Sequence, residues 1–262
     1  MTSPYKIAVR GAGVTGLWQA LTLAKKGHRV IVAEQSAEPF TDACSPYAGA
    51  MLAPRCEEES AEPVIRELGM RGIQLWQAVY PDLAAAGSLV VAPPRDRKLL
   101  DRFERMTRGA SRLDAAQLEQ LEPGLTPNFE TALFYADEAH LDPGAALAFL
   151  LNEVQNAGAI IQFGTGETPP GADFVIDCRG LGAQDMLPTL RGVRGERLVL
   201  RATEIAFARP GRLLHPRLPL YLRPWGELPT GANVFLIGAT SIEREDGGPV
   251  TLRSALELLS AA

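Results

Sequence analysis

With 262 residues, 46% of them hydrophobic and 22% charged, the chain can bury one large core or two smaller ones, which excludes an intrinsically disordered segment. A formal net charge of −5 at pH 7 gives no broad attraction for phosphate backbones or anionic lipid, despite the local run Arg95, Arg97 and Lys98; a small molecule is the expected partner, with no nucleic acid and no membrane. Cys44, Cys56 and Cys178 are odd in number and lack a C-x-x-C pair, which argues against a disulfide framework or a zinc site and for a reducing cytoplasm, and no apolar run approaches the roughly 20 residues of a membrane span.

Lys6 to Val9 is a short β-rich run leading into Gly11-Ala12-Gly13-Val14-Thr15-Gly16, after which Leu17, Ala20, Leu21 and Ala24 recur at helical spacing. Lys25, Lys26 and Gly27 end that helix, and Arg29 to Glu34 follows as a second buried strand, completing a βαβ unit. From Glu62 to Ala86 the apolar spacing predicts a long helix interrupted near Gly69 and Gly72, then a strand over Ser88 to Ala92. Short helices are predicted over Leu99 to Arg108 and Asp114 to Leu121, with a strand over Thr131 to Tyr135. Asp142 and Pro143 supply an N-cap and a first-turn proline for a helix reaching Asn156, and Ala159 to Phe163 and Phe174 to Cys178 read as buried strands. Arg197 to Phe207, Leu220 to Leu222 and Val234 to Ala239 read as an antiparallel sheet. Thr251 to Ala262 reads as an amphipathic helix with Leu252, Ala255, Leu256 and Leu259 on one stripe.

A G-x-G-x-x-G motif alone is weak, but here it lies between a strand and a helix, with a second strand and an acid after it. Gly11 permits the tight turn, Gly13 lets the backbone approach a pyrophosphate, and Gly16 lets helix pack on strand, while Val14 and Thr15 open the helix whose N–H groups face the anion. Glu34, followed by Gln35, stands at roughly the 20-residue distance expected of the acid that binds an adenosine ribose.

The small-residue segment Cys44-Ser45-Pro46-Tyr47-Ala48-Gly49-Ala50-Met51-Leu52-Ala53-Pro54, followed by Glu57, Glu58 and Glu59, resembles the flavin-approach loop of the glycine oxidases, within the D-amino-acid-oxidase superfamily. Four later stretches are similar to the same family: Glu138 to Pro143, Asp177 to Ala183, Arg191 to Glu196, and Arg212 to Arg217. Tyr221-Leu222-Arg223-Pro224 and Ile237-Gly238-Ala239-Thr240 agree as well, and together these look like the thiamine-pathway members.

The resemblance implies an α/β chain: a Rossmann-like FAD-binding domain with a parallel sheet over residues 1–83 and 137–190, a second α+β substrate domain with an antiparallel sheet over 84–136 and 191–250, and a helix at 251–262 returning to the first domain. It implies FAD as cofactor, with Ser45, Ala48, Gly49, Met51, Leu52, Cys178 and Gly180 joining Gly11, Gly13, Val14, Thr15, Gly16, Glu34 and Gln35 in holding it. It also implies oxidation of glycine or a similar small amine to an imine, with molecular oxygen as partner and hydrogen peroxide released; homo-oligomerisation stays open. Tyr221 is then the tyrosine that binds the substrate carboxylate. The family's carboxylate-binding arginine belongs to a G-L-R-P motif, and neither it nor the later flavin-covering glycine segment is found up to Ala262. The chain therefore reads as ending early, with Arg223 as the substitute grip, since strand alternation sends Tyr221 and Arg223 to one face. A non-catalytic flavin- or nucleotide-binding relative and a flavoenzyme for another amine remain alternatives. His28, His140 and His215 have no metal-ligand spacing, and Cys178 reads as a packing residue.

Overall fold

A computed structural model describes residues 3–125, 128–215, 220–227 and 231–261. The strands are β1 Lys6–Arg10, β2 Arg29–Ala33, β3 Met51–Leu52, β4 Ser88–Val91, β5 Ser111–Leu113, β6 Ala132–Tyr135, β7 Ala139–His140, β8 Ile160–Gln162, β9 Phe174–Asp177, β10 Arg197–Ala202, β11 Gly211–Leu213, β12 Leu220–Glu227 and β13 Asn233–Gly238. The helices are α1 Val14–Lys25, α2 Pro63–Val79, α3 Arg97–Met106, α4 Ala115–Leu121, α5 Pro143–Asn156 and α6 Leu252–Ala261. They form two compact units, one of residues 1–48 and 142–192, the other of 49–141 and 193–262.

The first unit is a parallel sheet in the order β8-β2-β1-β9. Val9, Val30 and Val32 are buried in it, and Leu17, Ala20 and Leu21 turn the inner face of α1 toward it. Helix α5 packs beside α1 and starts as the sequence dictates, with the Asp142 carboxylate accepting the Ala145 N–H at 2.7 Å and Pro143 in the first turn. The outer strands β8 and β9 are not buried as expected: Ile160, Phe174 and Val175 are exposed.

The second unit is built on a seven-stranded sheet ordered β10-β13-β12-β11-β4-β6-β5. It is antiparallel except where β11 runs parallel to β4. Its main core gathers Phe103, Leu133, Tyr135, Val90, Leu100 and Cys56. Helix α4 carries a reciprocal capping box between Asp114 and Gln117.

Several expectations change. The domain boundaries fall elsewhere: residues 49–83 lie in the second unit because β3 pairs with β7, and α6 lies there because Leu258 is buried against Leu220 and Ile237. The expected leucine stripe of α6 is its outer face, with Leu252, Leu256 and Leu259 exposed; Ala262 and the Pro216-Arg217 end of the Arg212 run lie outside the described residues. Helix α2 runs unbroken through Gly69 and Gly72. Gly69 is there for close packing, since a Cβ on it would come within 2.5 Å of Pro54 Cβ.

Candidate functional site

The residues singled out from sequence fall into two groups, one in each unit. In the first, the chain leaves β1 at Gly11, whose φ of +96° is the left-handed region open to glycine. Its N–H donates to the Ala33 carbonyl at 2.8 Å, and a Cβ here would lie 2.6 Å from the Cys178 carbonyl oxygen. Gly13 is the N-cap of α1, extended, with no side-chain cap and no acid in the first turn. A Cβ at Gly13 would meet only Ser45 Oγ, 3.6 Å away, whereas one at Gly16 would come 1.9 Å from the Gly11 carbonyl oxygen. Gly11 and Gly16 therefore set the close approach of turn, helix and third strand, and Gly13 leaves the helix amino terminus uncovered for an anion.

Glu34 follows β2 directly. One carboxylate oxygen accepts the Ala12 N–H at 2.7 Å and the other the Ser36 N–H at 3.0 Å. These two bonds aim the acid across the mouth of the glycine turn and leave further lone pairs on each oxygen for sugar hydroxyls. Ser45 Oγ accepts the Val14 N–H at 3.2 Å, tying the one-turn helix Ser45–Tyr47 to the start of α1. Thr15, Gln35, Ala48 and Gly180 are exposed around this turn. Burial, with Asp177 adding to it, raises the Cys178 thiol, which suits a packing residue better than a nucleophile. The donor and acceptor set, an open helix amino terminus beside a backbone-anchored acid, fits an adenine dinucleotide.

In the second unit, Met51 and Leu52 pair with His140 and Ala139, and Gly49 approaches Leu236. Tyr221 and Arg223 lie on β12, opposite Gly238 and Leu236 of β13. Tyr221 Oη donates to Glu57 Oε1 at 3.1 Å. Arg223, 3% exposed, donates from Nη1 to the Leu141 carbonyl at 3.0 Å and lies 4.6 Å over the Trp225 ring.

Sequence reasoning missed a buried polar network beside them. Arg212, the β11 partner of Tyr221, donates to the Cys56 carbonyl at 2.5 Å and to Glu59 at 3.0 Å, and covers the Phe103 and Tyr221 rings. Glu138, 0% exposed, accepts the Arg55 and Cys56 N–H groups at 2.7 and 3.0 Å on one oxygen, and the Cys56 thiol at 3.2 Å and the Ser88 hydroxyl on the other. Burial raises its carboxyl against these bonds, which lower it. Removing it by Glu138→Ala would strand these donors in the core, and a loss of roughly 2–5 kcal/mol in urea unfolding is expected. Glu138→Gln, which keeps a carbonyl for the two amides, should cost less than half of that; equal losses would refute the assignment.

Among the described residues no cluster of three His, Cys, Asp or Glu side chains is placed to hold a metal, and no helix is long and apolar enough to cross a membrane.

The model of the FAD dependent oxidoreductase (DAO) family matches residues 6–262. A putative thiamine biosynthesis oxidoreductase, ThiO, of Rhizobium etli is 46% identical over 259 residues, covering 98% of this chain and 77% of that protein. Glycine oxidase from Geobacillus kaustophilus superposes with a TM-score of 0.75 at 21% identity, over 99% of this chain and 77% of that one. Iminodiacetate oxidase from Chelativorans sp. BNC1 does so with a TM-score of 0.72 at 20% identity, over 98% and 77%.

Proposed function

The chain belongs to the FAD dependent oxidoreductase (DAO) family, and from that membership we propose that it oxidises the amine of glycine or a similarly small amino acid to the imine. Molecular oxygen is the proposed electron acceptor and hydrogen peroxide the second product, with the imine supplied to the thiazole moiety of thiamine in the cytoplasm. The 46% identity to ThiO, over 98% of this chain and 77% of that protein, supports the thiamine assignment. The observation that carries the reading is the uncovered amino terminus of α1 beside the doubly anchored Glu34.

Bound FAD supplies a two-electron acceptor for the hydride on the carbon bearing the amine. In the first unit, the amides of Gly13, Thr15 and Gly16 would hold its pyrophosphate, with Gly11 shaping the turn and Val14, bonded to Ser45, opening the helix; Glu34, with Gln35 beside it, would hold its ribose, while Ser45, Ala48, Cys178 and Gly180 would line its path. In the second unit, Gly49, Met51 and Leu52 would meet the flavin, and Tyr221 and Arg223 the substrate. A guanidinium at Arg223 suits a carboxylate through two parallel N–H groups. Orientation and exclusion of water are then the protein's main tasks, and no side chain is required to act as base on carbon.

The test is peroxide release from glycine, sarcosine and D-alanine by the flavin-loaded protein. Flavin bound without peroxide from any of them would overturn the reading. Arg223→Ala should raise the KM for glycine, and unchanged affinity would remove Arg223 from the substrate site. For the cofactor, Glu34→Ala should weaken FAD binding by about 10- to 100-fold in a fluorescence titration of the apoprotein, the loss expected for hydrogen bonds to a charged acceptor.

A further inference from the structure

Strand β12 departs from regular pairing at Pro224-Trp225-Gly226. Pro224 stands opposite Phe235 of β13 and Gly226 opposite Val234, the next residue along, so Trp225 is the extra residue of a β-bulge. Its two neighbours suit that geometry. Pairing with β11 ends at Leu222, so the N–H that Pro224 lacks is not wanted by that strand. Gly226 has a φ of +137°, which a residue with a Cβ rarely adopts. The irregularity is thus written into the backbone on both sides of the indole.

What the bulge places is a ring over Arg223. The Arg223 guanidinium carbon lies 4.6 Å from the Trp225 ring centroid, and that of Arg197, on β10 at the far side of β13, lies 5.1 Å from it. Both fall inside the about 6 Å of a cation–π contact. The indole is therefore held from two strands. Arg223 is 3% exposed, and its Nη1 donates to the Leu141 carbonyl at 3.0 Å. A single hydrogen bond lets a guanidinium pivot about that contact on its long stem, and an aromatic ring above the guanidinium carbon removes much of the remaining swing.

Two parallel N–H groups grip a carboxylate only when both are aimed at it together, and a side chain ordered in advance gives up less freedom on binding. We propose that Trp225 is a positioning residue that aims the Arg223 guanidinium at a substrate carboxylate before the substrate arrives, the bulge being the backbone device that brings the indole over it. This rests on the role given to Arg223 above and adds to it the group that keeps the guanidinium in place.

The experiment titrates the flavin-loaded full chain with acetate, which carries the carboxylate and lacks the amine, so the grip is read by calorimetry without turnover. Trp225→Leu should weaken acetate about tenfold and raise the KM for glycine by a similar factor, with kcat within about threefold. Trp225→Phe, which keeps a smaller ring, should lose no more than about threefold, and Trp225→Met takes the place of the leucine variant should that one not fold. In an Arg223→Ala background Trp225→Leu should weaken acetate no further, a result that a general loosening of the strand would not give. Unchanged acetate affinity in Trp225→Leu, a phenylalanine variant as weak as the leucine one, or an equal further loss on top of Arg223→Ala overturns this proposal alone. Arg223→Ala binding acetate as tightly as wild type overturns the carboxylate grip and this proposal with it, whereas a wild type that binds acetate and oxidises no amine overturns the enzymatic reading and leaves the positioning role supported.

Discussion

Gly16→Ala is expected to abolish measurable FAD binding and to lower stability, with the apoprotein binding flavin more than about 100-fold less tightly than wild type. The added Cβ would fall 1.9 Å from the Gly11 carbonyl oxygen and 3.0 Å from its carbon. Both atoms are backbone, so no side chain can swing aside, and the first turn of α1, in which Gly16 and Leu17 are buried, has to lift from the loop after β1. The N–H groups that converge on the anion site move with it, and several charge-assisted bonds are lost together. Gly72→Ala is the matched control. It also adds one methyl to a glycine within a helix, but nothing lies within 4 Å of the new atom, so a gain of about 0.5–1 kcal/mol is expected from helix propensity alone. Thermal unfolding and flavin fluorescence on the two variants separate close packing from propensity. A Gly16→Ala protein that is yellow, with wild-type affinity for FAD, would show that the turn does not work as described.

What could be read from sequence was whatever depends on neighbours along the chain. The glycine spacing of the first turn, the acid after β2, the Asp142 cap with Pro143, and the helical period of α1 are local, and each appears where the residues put it. Alternation also made legible that Tyr221 and Arg223 share a face of β12. The failures come from tertiary partners. Gly69 resembles a helix breaker until Pro54 is brought against it. The leucines of α6 resemble a buried stripe because composition cannot tell which face meets Leu220 and Ile237. Strands β5 and β11 have three residues each, too few for a periodic signal. Arg212 and the triplet beginning at Glu57 were visible as residues, but only the pairing of β11 with β12 puts the guanidinium over Tyr221. Tyr221 was legible on its β-rich run, whereas the bond of its hydroxyl to Glu57, an acid 164 positions away, was not.

His140 should give the protein a pronounced acid sensitivity of its own. Its backbone is bonded to Ala84 in both directions at 3.0 Å, its side chain is 9% exposed, and among the described residues Nδ1 has no hydrogen-bond partner. Burial first, then the Arg223 guanidinium, lowers the imidazole from 6.5 to about 4. As pH falls below 6.5 the unfolded chain takes up a proton that the folded protein refuses until about 4, so stability present above 6.5 is lost across that window. At about 1.4 kcal/mol per pKa unit the loss is of order 3 kcal/mol. Glu138 acts in the opposite sense: burial raises its carboxyl, so its contribution is fullest below the unfolded value and declines as pH rises through the folded one. A raw pH profile mixes the two, and His140→Gln separates them. Urea unfolding of wild type and variant at pH 7, 6, 5 and 4 should show the wild type losing ground on the variant by about 3 kcal/mol between the ends, whereas curves that stay parallel down to pH 4 would mean that the imidazole is protonated in the folded protein as easily as in the unfolded chain.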